Sequence, residues 1–115
     1  KDPKVTVQAN SEACWLFVKV EESANFDSFM TYAMADGWTA LPGVTGVYYR
    51  EVAATTAATD FSVLEDNSVL VKDSVTKAML NGLSETTFPT LTFTAYAVQK
   101  DNVNSAADAW AKANA

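Results

Sequence analysis

The sequence contains no histidine and a single cysteine, Cys14. Without an imidazole there is no Ser-His-Asp or Cys-His relay to activate a nucleophile. Structural zinc needs Cys and His at close spacing, so it is excluded on the same ground. A lone thiol cannot form a disulfide within the chain. Cys14 is therefore a small buried hydrophobe or a point of chain-to-chain linkage, and burial is the expectation because free cysteine is among the most buried residue types. Basic residues are also scarce, eight against 14 acidic ones, for a formal charge of −6. They are scattered, and neutralising phosphates takes clustered Lys and Arg, so nucleic acid and anionic lipid are not expected partners. No apolar run approaches the ~20 residues of a membrane helix, which argues against membrane insertion. Neither GxxxxGK[ST] nor GxGxxG occurs, and no cofactor is expected. There is no internal repeat and no low-complexity tract beyond the alanine-rich tail.

Carboxylates are the remaining chemistry. Glu21-Glu22, Glu65-Asp66 and Asp101 stand near expected turns. Two of them meeting would suit glycoside hydrolysis or calcium ligation. The calcium-loop pattern fails at Asp101, which is followed two residues later by Val103. Solvated turn residues are the simpler reading, and the chain is not expected to be an enzyme.

What is present is strand pattern. The chain has 115 residues, 49% apolar and 19% charged, which suits one globular domain over 1–115. In Thr90 to Gln99, Leu91, Phe93, Ala95 and Ala97 alternate with Thr92, Thr94 and Tyr96, and Pro89 marks the start. Period two in a β-branched and aromatic composition predicts a central strand of an all-β domain. Ala13 to Glu22 places Cys14, Leu16, Val18 and Val20 on one face and Trp15, Phe17 and Lys19 on the other. Both faces are apolar in the first half, so this strand is expected to be covered on both sides.

Val5-Thr6-Val7 predicts a short terminal strand able to pair within the domain or with another molecule; the segment 1–11 is a candidate donor or edge strand. After a polar loop at Ser23 to Asp27, Phe29 to Val52 reads as strand, Asp36-Gly37 turn, strand, Pro42-Gly43 and Gly46 turn, strand, in the manner of a meander. Ala53 to Thr59 is a small-residue link. Phe61–Leu64 and Val69–Val71 are short apolar runs separated by turn chemistry at Glu65 to Ser68. Val75, Ala78, Met79 and Leu83 recur at helical spacing, with Asp73 or Ser74 as cap and Gly82 near the end, predicting a short helix that lids the core. Ser105 caps a second helix over Ser105 to Ala115, docked by Trp110. Exposed aromatic rings also make sugar platforms, and Trp38 and Tyr48 are the candidate pair, although cross-strand packing explains most aromatics here.

Several runs together resemble a known family. These are Lys1-Asp2-Pro3 with Val5-Thr6-Val7, Ser11 through Glu21 (SEACWLFVKVE), Asp36-Gly37-Trp38, Gly46-Val47-Tyr48-Tyr49-Arg50, and Pro89 through Gln99 (PTLTFTAYAVQ) with Trp110. In order and spacing they are similar to the secreted Gram-positive proteins with a SipW-dependent signal peptide, the TasA/camelysin-like group. The resemblance implies a jelly-roll-like β-sandwich with one or two short helices, export, and a place on the cell surface or in biofilm matrix. It also implies homopolymers built by donor-strand complementation, with Val5 and Val7 as donor residues and the strand carrying Trp15 and Phe17 near the acceptor. Camelysin-type members are described as metalloproteases; without histidine that activity does not carry over. Relatives carry further sequence upstream of Lys1-Asp2-Pro3, including another strand, and where that holds here the donor is missing or is a different segment. The alternative is a monomeric surface module that binds glycan or host protein through Trp38 and Tyr48.

Overall fold

The computed structural model describes residues 3–114. Lys1 and Asp2 of the N-terminal segment and Ala115 of the expected last helix lie outside the described residues. The strands are β1 (Lys4–Val7), β2 (Cys14–Glu22), β3 (Met30–Met34), β4 (Thr39–Ala40), β5 (Val47–Val52), β6 (Thr59–Ser62), β7 (Leu64–Val71) and β8 (Leu91–Gln99). The helices are α1 (Phe26–Phe29), α2 (Lys77–Asn81) and α3 (Ala106–Ala113). The chain is mostly β, in three antiparallel sheets with a few short helices.

The central strand is β2, not β8. The four-stranded sheet has the order β4-β5-β2-β8, which puts β8 at an edge. The reason lies in side-chain size. Cys14 through Val18 are all buried, as only a strand flanked and covered on both sides can be. In β8, by contrast, Ala95 and Ala97 are exposed, too small to recruit a covering layer. Alternation reports one covered face and says nothing of neighbours on either edge.

Each face of β2 organises its own core. Trp15 and Phe17 pack with Leu41, Val47, Val103, Ala106 and Ala109 under α3. Ser105 caps that helix, its hydroxyl accepting from the Asp108 N–H at 3.2 Å. Trp110 docks it as expected, its ring centroid 5.3 Å from Phe17 and 5.0 Å from Tyr96. On the other face, Cys14 and Leu16 meet Val7 and Val52, while Val18 and Val20 meet Val63 and Leu64. Two antiparallel ribbons, β1-β6 and β3-β7, supply that cover.

The expected meander does not form. β3 pairs with β7, and β4 with β5, so the chain crosses between layers at Asp36 to Trp38. Gly37 permits the crossing with φ 98°, and Trp38 anchors it by donating Nε1–H to the Ser62 carbonyl at 2.8 Å. The turn expected at Glu65 to Ser68 is also absent. These four residues fall between the pairs Tyr32↔Val69 and Met34↔Leu64, against the single residue Ala33, so their turn chemistry appears as an enlarged bulge within β7. Asp66 there has φ 54°.

α2 is shorter than expected and buries none of its residues, so it does not lid the core. Its cap is Thr76 in place of Asp73 or Ser74. Leaving Val75 outside the helix removes the first position of the apolar stripe. α1 falls where a polar loop was expected, held by the buried Phe26.

Candidate functional site

An open groove of about 810 Å³ lies on the ribbon side of the four-stranded sheet. Leu91 and Phe93 of β8 form its floor, and Val69 and Val71 of β7 form its wall. Phe26, Met30, Phe88 and Pro89 close one end; Pro3 and Leu64 stand at the other, where the Val63 N–H donates to the Pro3 carbonyl at 3.1 Å. None of the lining residues carries an ionisable side chain.

Local pairing explains why the groove is open. Among the described residues β7 pairs with β3 alone and β8 with β2 alone, so each leaves one edge without a partner there. Val69 and Val71 sit opposite Tyr32 and Met30, on the inward face of their ribbon, yet remain 40% and 47% exposed. Phe88 is 48% exposed. Apolar side chains aimed inward but uncovered make this groove a contiguous exposed apolar surface.

The residues singled out from sequence lie elsewhere. Val5 and Val7 pair within the chain, opposite Phe61 and Thr59, and Val7 packs on Cys14, Leu16 and Val52. Trp15 and Phe17 are 8% and 0% exposed beneath α3, so the acceptor surface expected there is filled by the chain's own helix. Trp38 and Tyr48 both border the core around Val18 and Val20 and are half-buried. The Arg50 guanidinium stacks on Trp38 at 4.6 Å and on Phe61 at 4.5 Å, donating Nη2–H to the Asp36 carbonyl at 2.8 Å. The ring of Trp38 is therefore already covered by a cation, and the two aromatics do not form an open platform.

Burial raises the Cys14 thiol above its ordinary 9.0, against the opposing pull of Lys100. Burial also raises the Tyr32 phenol, helped by its hydrogen bond to Tyr48. The acidic residues Glu21, Glu22, Glu65, Asp66 and Asp101 are exposed, and among the described residues no three metal-ligating side chains group together. Also among them, no helix is long and apolar enough to cross a membrane.

Sequence reasoning missed the groove because Val69, Leu70 and Val71 read as one short apolar run after a turn. The available signal was the combination of that run with Phe88, Leu91 and Phe93, more apolar side chains than two isolated edges can hide. No protein-family model, curated protein or solved structure matches this chain, so its geometry and residues alone carry a functional reading.

Proposed function

We propose that this chain is an extracellular structural protein, a subunit of a surface or biofilm-matrix fibre in which a strand from a neighbouring copy fills the groove beside β7. The observation that carries the reading is the uncharged groove of about 810 Å³ walled by β7, whose outer edge has no partner strand among the described residues. A strand laid there supplies main-chain hydrogen bonds to the open edge and sets alternate side chains on Leu91, Phe93, Val69 and Val71. The regular part of β7 along the groove, Val69 to Val71, spans about 10 Å, room for one or two inward side chains from the incoming strand.

The N-terminal segment carrying Val5 and Val7 is the donor. It is terminal and alternating, and Pro3 already stands at the mouth of the groove. In the free subunit β1 is held by β6, so donation exchanges a pairing within the chain for one between copies. Head-to-tail exchange of this kind does not close on itself and gives a filament. The resemblance to exported matrix proteins supports the extracellular setting. On this reading the layered strands form a jelly-roll-like sandwich with one lane vacant.

Negative-stain electron microscopy of the concentrated chain tests this beside two variants, one lacking residues 1–10 and one carrying Val69→Lys with Val71→Lys. Filaments are expected from the intact chain alone. Filaments from the lysine variant, or dispersed folded particles from all three, would sink the proposal.

A further inference from the structure

The outer edge of β8 is a second unpaired surface, distinct from the wall of the groove. The Ser23 N–H donates to the Thr90 carbonyl and the Lys100 N–H to the Ala13 carbonyl, so the even-numbered residues of this strand point their main-chain groups at β2. In an antiparallel strand the alternate residues point the other way. Leu91, Phe93, Ala95, Ala97 and Gln99 therefore direct their N–H and C=O groups outward, where β8 has no partner strand among the described residues.

Edges of this length are ordinarily blunted by Lys, Pro, a bulge or a covering loop. Leu91 to Gln99 contains no charged residue and no proline, and its pairing with β2 runs through nine residues without a register shift. The covering helix α3 packs on the Tyr96 face of the sheet. On the opposite face Ala95 and Ala97 are exposed.

We propose that β8 pairs antiparallel with β8 of a second copy about a two-fold axis at Ala95, joining two four-stranded sheets into one. The sequence is self-complementary in this register. Ala95 faces its own copy, Phe93 faces the small Ala97, and Leu91 faces Gln99. On the α3 face, Thr94 meets Tyr96 and Thr92 meets Val98. Each bulky side chain meets a smaller or flexible one, and no two like charges are opposed. The outward main-chain groups of Leu91, Phe93, Ala95, Ala97 and Gln99 then become the hydrogen-bonded pairs of the new ladder. An isologous contact of this kind closes at two copies, which sets it apart from the head-to-tail contact at the groove.

The test is a cross-link at the axis, read alongside mass in solution. A hydrogen-bonded antiparallel pair holds its Cα atoms about 5.5 Å apart, within disulfide range. Ala95→Cys should give a covalent dimer on mild oxidation. Ala97→Cys should not, because Ala97 faces Phe93 of the second copy and its own counterpart lies four residues, about 13 Å, along the partner strand. By analytical ultracentrifugation the unmodified chain should show a reversible dimer, weakened at least about tenfold by Ala95→Pro, an edge position that removes only an outward N–H. Circular dichroism of the proline variant should be that of the parent, and Ala97→Lys provides a second disruption that leaves the backbone unchanged. A strictly monomeric parent, equal cross-linking at positions 95 and 97, or a dimer indifferent to both Ala95→Pro and Ala97→Lys would overturn the proposal. The Val69→Lys with Val71→Lys variant should lose filaments but keep the Ala95→Cys cross-link, so the two contacts fail separately.

Discussion

Replacing Trp110 with alanine removes the one large side chain by which α3 holds the sheet. Its ring lies 5.0 Å from Tyr96 at 81° and 5.3 Å from Phe17. Two such ring pairs contribute about 2 kcal/mol together beyond area burial. A half-buried indole hides roughly 100 Å² of apolar surface, or about 2.5 kcal/mol. The alanine methyl retains a little of this, so the expected loss is about 4 kcal/mol, and the melting midpoint should fall by roughly 15 °C. α3 has eight residues, too few for an isolated helix to persist in water, so it should leave the sheet as a unit and uncover Trp15 and Phe17. Thermal denaturation by circular dichroism reads the first effect, and binding of a hydrophobic dye reads the second. Trp110→Phe should retain more than half of the stability. A midpoint shift below about 3 °C without dye binding would refute the view that this side chain seals the helix to the sheet.

Arg50→Lys should cost about 1–3 kcal/mol, measured by urea unfolding, because an ammonium cannot stack flat between Trp38 and Phe61 while reaching the Asp36 carbonyl. Gly37→Ala should be at least as damaging: φ is 98°, and a Cβ there meets the Arg50 guanidinium within van der Waals contact. Stability should fall as pH rises from about 9, since the unfolded chain releases the Cys14 and Tyr32 protons at ordinary values while burial raises both in the fold. The slope is at most about 1.4 kcal/mol per pH unit for each group. Cys14→Ala with Tyr32→Phe should flatten it, and an unchanged slope would count against both assignments. Amide exchange along β8 should alternate under conditions that keep the chain monomeric, with Thr92, Thr94, Tyr96 and Val98 protected and Leu91, Phe93, Ala95 and Ala97 exchanging quickly. Uniform protection in the monomer would mean that the outer edge is covered.

Much of this fold is legible from alternation. β1, β2 and β8 lie where alternation places them, β3 and β5 lie where the turn residues around Gly37 and Gly46 bracket them, and Ser105 with Trp110 foretells both the start and the docking of α3. The two-sided burial of β2 follows directly from its apolar faces. Neighbours do not follow, because alternation encodes faces and not edges. β8 has the cleanest pattern in the chain and still lies at a rim. Glu65 to Ser68 carries the composition of a turn, but a bulge needs the same left-handed tolerance, and only pairing with β3 separates the two. The groove was the least legible feature, since it arises from residues distant in sequence, Val69 and Val71 on one layer and Leu91 and Phe93 on the other.

Val63 sits between β6 and β7 and serves both ribbons at once. Its N–H is bound to Pro3 and its carbonyl receives the Ala35 N–H at 3.0 Å, while its side chain is 1% exposed among Val18, Val20 and Leu64. When the N-terminal strand departs, this one residue loses half of its main-chain satisfaction while remaining locked in the interior. The vacancy at β6 is thereby coupled to the strand that walls the groove. If the proposed exchange of the N-terminal strand occurs, its release would loosen both ribbons together, and assembly should then show a lag followed by rapid growth in place of a uniform rate.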